Sequence, residues 1–171
     1  MRTSTSPTTL RPANAADREA IAELWHDGWR DGHVGHVPDA LLGHRTPATF
    51  RHRTPAQISS TTVVVDHDDV IGFVTVKKAE IEQLYVGRAA RGTGAAAQLL
   101  RHGEGLISAD GHPRCWLAVA PGNRRARRFY EREGWRDVGA IDYEARTAGE
   151  ATIVVPCRRY EKNLPPAGGR A

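Results

Sequence analysis

Two β-rich runs and a third follow one another between Thr61 and Val86 with only four and three residues between them, and no other feature constrains the fold as strongly. ThrThrValValVal at 61–65 precedes a turn through HisAspAsp, ValIleGlyPheValThrVal fills 70–76, and LysLysAla leads into the run from Glu80 to Val86. Connections this short join antiparallel neighbours, because a parallel pair needs a crossover of a dozen residues or more. The middle of the chain therefore reads as an antiparallel meander.

On either side the apolar period changes to that of helices. Before the meander, Thr8 to Arg11 is β-compatible, and Asn14 is placed to cap a helix carrying Ile21, Leu24, Trp25, Gly28 and Trp29 on one face. Asp31 to Pro38 reads as a loop, Pro38 to Leu42 as one helical turn, and Thr46-Pro47 as the cap and first turn of a short helix to about Arg53. After the meander, Ala96, Leu99, Leu100, Gly103, Leu106 and Ile107 mark a helix starting near Gly94. A strand at Arg114 to Val119, a helix from ProGlyAsn (121–123) to Gly134 and strands near Trp135 to Tyr143 and Ala151 to Tyr160 complete the order. The expected class is α/β: a mixed, mostly antiparallel sheet of six or seven strands, about four flanking helices, and at least one right-handed crossover in the second half. Residues 1–164 read as one domain, and 165–171 as a flexible, proline- and glycine-rich tail.

Composition excludes several classes. In 171 residues, 40% are apolar and 26% charged, which suits one globular domain and argues against an extended disordered chain. No apolar run approaches the roughly 20 residues that span a bilayer, and the first residues lack the apolar stretch of a secretory signal. Cys115 and Cys157 supply neither a disulfide framework nor the clustered spacing of a zinc site, so a cytoplasmic location is expected. The net charge of +4 permits an anionic partner, either nucleic acid or a phosphorylated cofactor.

The joint between Tyr85-Val86 and the helix near Gly94 decides between them. Its sequence, GlyArgAlaAlaArgGlyThrGlyAlaAlaAla from 87 to 97, has few bulky side chains and opens a helix. Backbone N–H groups at such a terminus suit a pyrophosphate. The GlyLys[Ser/Thr] ending of a P-loop is missing, and Ala97 stands where a dinucleotide fingerprint has its third glycine, after a meander instead of a βαβ unit. Further on, Asn123 and Tyr130 lie seven residues apart, nearly on one helical face, so both can line one groove. Phe129 between them reads as core. Poor aromatic–basic interleaving and the lack of a groove-reading motif argue against nucleic acid.

Arg91-Gly92-Thr93-Gly94-Ala95-Ala96 matches [Gln/Arg]xxGx[Gly/Ala], and Asn123, Ala126, Phe129, Tyr130 and Gly134 match NxxAxxFYxxxGF with Trp135 as the final aromatic. With both patterns the chain resembles the GNAT superfamily of N-acetyltransferases from about Val63 to Tyr160. The resemblance implies acetyl-CoA as cosubstrate, with the backbone at Arg91, Gly92, Thr93, Gly94, Ala95 and Ala96 on its pyrophosphate and Tyr85 and Val86 along the pantetheine arm. Asn123 belongs to the same groove, and Arg127 is the cofactor-side choice among arginines 88, 91, 124, 125, 127 and 128. It also implies that Tyr130 protonates the leaving thiolate and that a strand carboxylate serves as base, Glu82 being preferred over Glu80 or a water chain. Strand alternation is expected to put both glutamates on one face with Leu84 and Val86. Trp29, His33 and His36 are the acceptor-contact residues, and no metal site is expected, since HisxxHis at 33 and 36 lacks a completing ligand.

The implied reaction is direct transfer of an acetyl group to a primary amine in a ternary complex; the alternative is a non-catalytic acyl-CoA binding or sensing protein of the same fold. The acceptor is left open among a small amine, an amino acid, an antibiotic and a protein N-terminus. No nucleic acid and no membrane partner are expected. The oligomeric state is open, a homodimer included.

Overall fold

A computed structural model describes residues 8–166. Its elements run β1 (Thr9–Pro12), α1 (Arg18–His33), α2 (Asp39–Leu42), α3 (Pro47–Arg53), β2 (Thr61–Asp66), β3 (Asp69–Lys77), β4 (Glu80–Val86), α4 (Ala95–Ala109), β5 (Arg114–Val119), α5 (Arg124–Arg132), β6 (Arg136–Arg146) and β7 (Thr152–Asn163). Short 3-10 turns occupy Ala15–Asp17, Thr54–Ser60 and Arg88–Ala90. The strands form one seven-stranded sheet in the order β1-β2-β3-β4-β5-β7-β6. The meander is β2-β3-β4, antiparallel throughout, and α4 carries the chain across to β5, which lies parallel to β4.

Each face of the sheet is covered by its own apolar cluster. Ile21, Trp25 and Trp29 of α1 and Phe50 of α3 pack with Val63 and Phe73 on one side. Leu99, Leu100 and Ile107 of α4 pack with Val74, Leu117, Trp135 and Tyr160 on the other. The helical spacings therefore land where the amphipathic faces required. Asn14 caps the first 3-10 turn through Ala16 N, with Asp17 closing the capping box, and Thr46 caps α3 through Thr49 N.

One expectation changes: Asp31 opens a loop by sequence, but α1 continues to His33. Gly28 and Gly32 lie on its inner face, where a Cβ on Gly28 would collide with the Tyr85 ring and one on Gly32 would sit 2.7 Å from Asn123 Nδ2. Those glycines therefore mark close approach within a helix rather than its end. Leu164 N, just before the tail expected at 165–171, donates to Pro113 O at 2.9 Å, and Ser108 Oγ donates to Pro165 O at 2.8 Å. Residues 167–171, like the N-terminal residues 1–7, where no secretory signal is expected, lie outside the described residues.

α4 carries two glycines in opposite situations. A Cβ at Gly103 would lie 2.7 Å from Ile81 Cδ1 and 3.4 Å from Val74 and Val76 Cγ2, whereas one at exposed Gly105 would meet nothing within 4 Å. Gly103→Leu is expected to lower unfolding free energy by about 1–3 kcal/mol through overpacking. Gly105→Ala should raise it by roughly 0.5–1 kcal/mol, because alanine loses less backbone entropy in a helix. Urea titrations of the two variants beside the parent check both signs.

Candidate active site

β4 and β5 are paired at a single position, Glu80 with Trp116, and part beyond it. The other edge of each strand is satisfied, β4 by β3 and β5 by β7. Gly87 N donates to Ile71 O at 2.9 Å, and antiparallel alternation back along β4 turns the N–H groups of Leu84 and Val86 away from β3, into the opening. The opening leads into a cleft of about 930 Å³ lined from both faces of the sheet, with Trp29, Tyr85 and Tyr143 on one side and Val119, Phe129 and Tyr130 on the other.

The expected alternation from Glu80 to Val86 does not hold. Thr75 pairs with Gln83 and Val76 with Ile81, which leaves Glu82 as the extra residue of a β-bulge. Leu84 and Val86 consequently pack with the α4 cluster, whereas Glu80 and Glu82 share their surroundings with Tyr143 and Arg53. Glu80 lies at the closed end, where Tyr143 Oη donates to its Oε1 at 3.0 Å and burial raises its pKa. Glu82 stands where the strands begin to part.

At the other end of the cleft the glycine joint adopts the backbone that its composition suggested. Gly92 and Gly94 have φ of +78° and +90°, and a Cβ on either would meet no protein atom within 4 Å. The left-handed backbone, not crowding, is what calls for glycine there. The first helical bond of α4 runs from Gln98 N to Gly94 O, so the amides of Ala96 and Ala97 have no partner within the helix. Thr93 Oγ1 donates to Ala90 O at 2.6 Å and braces the turn, while the Ala95 methyl is buried under α4. Arg91 lines the cleft and is held to Asp31 at 2.6 Å, with Arg88 on the same carboxylate at 2.7 Å. The two guanidiniums hold the Asp31 carboxyl well below the usual range. Asn123 Oδ1 accepts from Ala126 N at 3.2 Å, capping α5 at the cleft wall.

Tyr130 and Tyr85 face the cleft, and neither hydroxyl bonds to a described residue. Burial raises both phenols above their ordinary pKa. Packing against Phe129, Trp135 and Tyr160, with centroids 5.3–6.1 Å away, orients the Tyr130 ring. Arg127 is not brought to this site. Its guanidinium donates to Tyr160 Oη at 3.2 Å, Pro121 O at 3.0 Å and Asp137 Oδ2 at 3.4 Å, because its position on α5 faces β6 and β7. Arg125 lines the cleft instead.

On the α1 side, Trp29 and His33 stack at 4.9 Å with an interplanar angle of 3°, and both line the cleft. His33 Nδ1 lies 2.9 Å from Trp29 O, so Nδ1 carries the proton, and burial lowers the imidazole pKa to about 4. His36 is separated from this pair: it is exposed and packs on the Pro121-Gly122 turn, outside the cleft lining. Arg45, Arg53 and Tyr143 also line the cleft, and Asp31 holds Arg91 beside it; neither arginine nor Asp31 is singled out by the sequence, for they come from segments remote from both motifs and carry no periodic or spacing signal. Among the described residues no cluster of potential metal ligands occurs, and no helix is long and apolar enough to cross a membrane.

Residues 18–135 match the sequence model of the Acetyltransferase (GNAT) family. The solved structures similar to the chain include a GCN5-related N-acetyltransferase from Rhodopseudomonas palustris, at 18% identity and TM-score 0.72, covering 96% of this chain and 100% of that one. An N-acetyltransferase from Staphylococcus aureus Mu50 is similar at 18% identity and TM-score 0.69, with 94% and 100% covered. A putative acetyltransferase from Salmonella typhimurium, solved with its cofactor acetyl-CoA, is similar at 16% identity and TM-score 0.69, with 97% and 99% covered. No curated protein matches the chain.

The lowered pKa of His33 makes a prediction for stability. Between about pH 6.5 and 4 the unfolded chain takes up a proton that folded His33 refuses, so stability is full above that window and is lost as pH falls through it. His33→Phe, which keeps a ring on Trp29, should flatten that part of the pH–stability curve by roughly 1–3 kcal/mol. Chemical denaturation at half-unit pH steps reads the difference; parallel curves would contradict the buried neutral imidazole.

Proposed function

The chain belongs to the GNAT acetyltransferase family and is an acyltransferase, and we propose that it moves an acetyl group from acetyl-CoA to a primary amine by direct transfer in a ternary complex. The observation that carries this reading is the continuity of the cleft through the β4–β5 opening, from the amides after Gly94, past Tyr130, to Glu82. A thioester entering from one face and an amine entering from the other can meet there.

The residues divide the work by chemistry. The free amides of Ala96 and Ala97, with Arg91 and Arg125 beside them, suit a pyrophosphate. The outward N–H groups of Leu84 and Val86 suit the pantetheine arm and the thioester carbonyl, whose oxygen gains charge as the amine nitrogen adds to carbon. Glu82 takes the proton that the amine loses, directly or through a water. When the C–S bond breaks, the Tyr130 hydroxyl stabilises the departing sulfur. A phenol held above pKa 10 stays protonated at neutral pH, so it acts first as a hydrogen-bond donor to a thiolate whose ordinary pKa is about 8.5. Direct transfer is supported by Cys157, the thiol in the cleft wall: burial pushes it to about 11, which makes it a poor nucleophile at neutral pH.

Two substitutions test the assignment, with acetyl-CoA-dependent thiol release over an amine library as the assay. Gly94→Val puts a branched side chain on the open side of the turn and is expected to weaken acetyl-CoA binding at least tenfold, about 1.4 kcal/mol, in calorimetric titration. Equal affinity in a folded variant would remove the loop from the cofactor site. Tyr130→Phe keeps the ring packing and should reduce kcat by about 10²-fold or more with little change in melting temperature. Unchanged turnover would leave Tyr130 a packing residue.

A further inference from the structure

Arg45 and Arg53 both line the cleft on the α1–α3 side, and neither enters an ion pair with a described residue. Arg45 is only 7% exposed. One of its terminal nitrogens donates to Arg146 O at 2.7 Å and to His44 O at 3.3 Å, and its guanidinium carbon lies 5.7 Å from the Trp29 ring centroid. The Arg53 side chain makes no hydrogen bond to a described residue, and its guanidinium lies 4.8 Å from the Trp25 centroid. The two cations bear on each other, and Arg146 also bears on Arg53. Glu82 is the carboxylate that acts on Arg53, yet it forms no ion pair with it. The arrangement at the opposite end differs, since Asp31 bridges Arg88 and Arg91.

Like charges held together in a partly apolar cleft without a carboxylate in contact with either are unfavourable, and an anion placed between them offsets both the repulsion and the desolvation. Resting on the acetyl-transfer reading of this cleft, we infer that the acceptor is a small amine that also carries a carboxylate or comparable oxyanion, bound by Arg53 and Arg45 while its amine lies by Glu82. A guanidinium supplies the planar donor fork that such a group requires, and stacking on Trp25 holds Arg53 in place. Trp29, Tyr85 and Tyr143 give the rest of the molecule an aromatic wall. A polycationic acceptor is disfavoured, because it would add positive charge to Arg45, Arg53 and Arg146.

The test titrates the standard L-amino acids, their α-amides and a set of aminoalkylphosphonates into the protein saturated with coenzyme A, and follows thiol release with acetyl-CoA for the same compounds. At least one acid or phosphonate is expected to bind tenfold or more tightly than the partner compound lacking the oxyanion. Arg53→Gln should remove that preference, Arg53→Lys should retain part of it, and coenzyme A affinity should stay within twofold in both. Thermal unfolding of each variant identifies loss of fold, and the wild-type acid-to-amide comparison decides the matter without any variant. Amides that bind as well as acids across the set, or no binding by any oxyanion-bearing amine, would overturn the inference. Acid-selective binding without thiol release would keep the oxyanion site and reject acetyl transfer. Release with amines that lack an oxyanion would do the reverse.

Discussion

The single pairing of Glu80 with Trp116 is the constraint on which the rest of the molecule depends. Up to that point β4 and β5 belong to one sheet; beyond it they belong to two partial sheets, β1 to β4 and β5 to β7, each satisfied along its outer ladder. Backbone groups without a strand partner are costly unless water or a ligand completes them. In this fold that cost is concentrated along one line, the inner edge of β4 from Leu84 to Val86. The cleft therefore contains polar backbone at its centre and apolar side chains on its walls, a combination suited to a long, mostly apolar arm with amide groups.

α1 keeps the two partial sheets in register on the open side. Its inner face approaches β4 where Gly28 admits the Tyr85 ring, and it reaches the start of α5 where Gly32 admits Asn123. Asp31, between those glycines, ties down Arg88 and Arg91 beyond β4. One helix thus touches the strand, the glycine joint and the second motif within two turns. The bulge at Glu82 acts with it: by shifting the alternation it lets Leu84 and Val86 face α4 while Glu82 remains on the side of Tyr143 and Arg53.

Local signals were enough for most of the fold. Turn chemistry and a period of two located β2, β3 and β4, and a period near 3.6 located α1 and α4, because each of these elements buries one face against a broad cluster. The glycine joint was legible because its positive φ angles restrict the residue type. What escaped the sequence was set by tertiary contact. Nothing in the run from Glu80 to Val86 announces a bulge, so the shared face of Glu80 and Glu82 with Leu84 was misread. Arg127 and Arg125 look alike in a basic segment, and only packing of α5 against β6 and β7 turns one away from the cleft and the other toward it. His33 and His36 likewise differ by where α1 ends.

On the acetyl-transfer reading, the distribution of counter-charge bears on where each reactant would sit. At the glycine joint the arginines are held by Asp31, so an arriving phosphate must share them with a carboxylate, and such sharing favours reversible binding over a tight lock. Across the opening the cations on Trp25 and Trp29 form no such pair with a described residue, and the carboxylates Glu80 and Glu82 line the same cleft. An ammonium group is drawn toward those carboxylates and away from the cations. On the proposed transfer, its proton would be given up next to a glutamate, at the point where the strands part and the N–H groups of Leu84 and Val86 face the gap. The bulge that displaces Glu82 from simple alternation brings its carboxylate and the outward N–H groups of Leu84 and Val86 to the same opening.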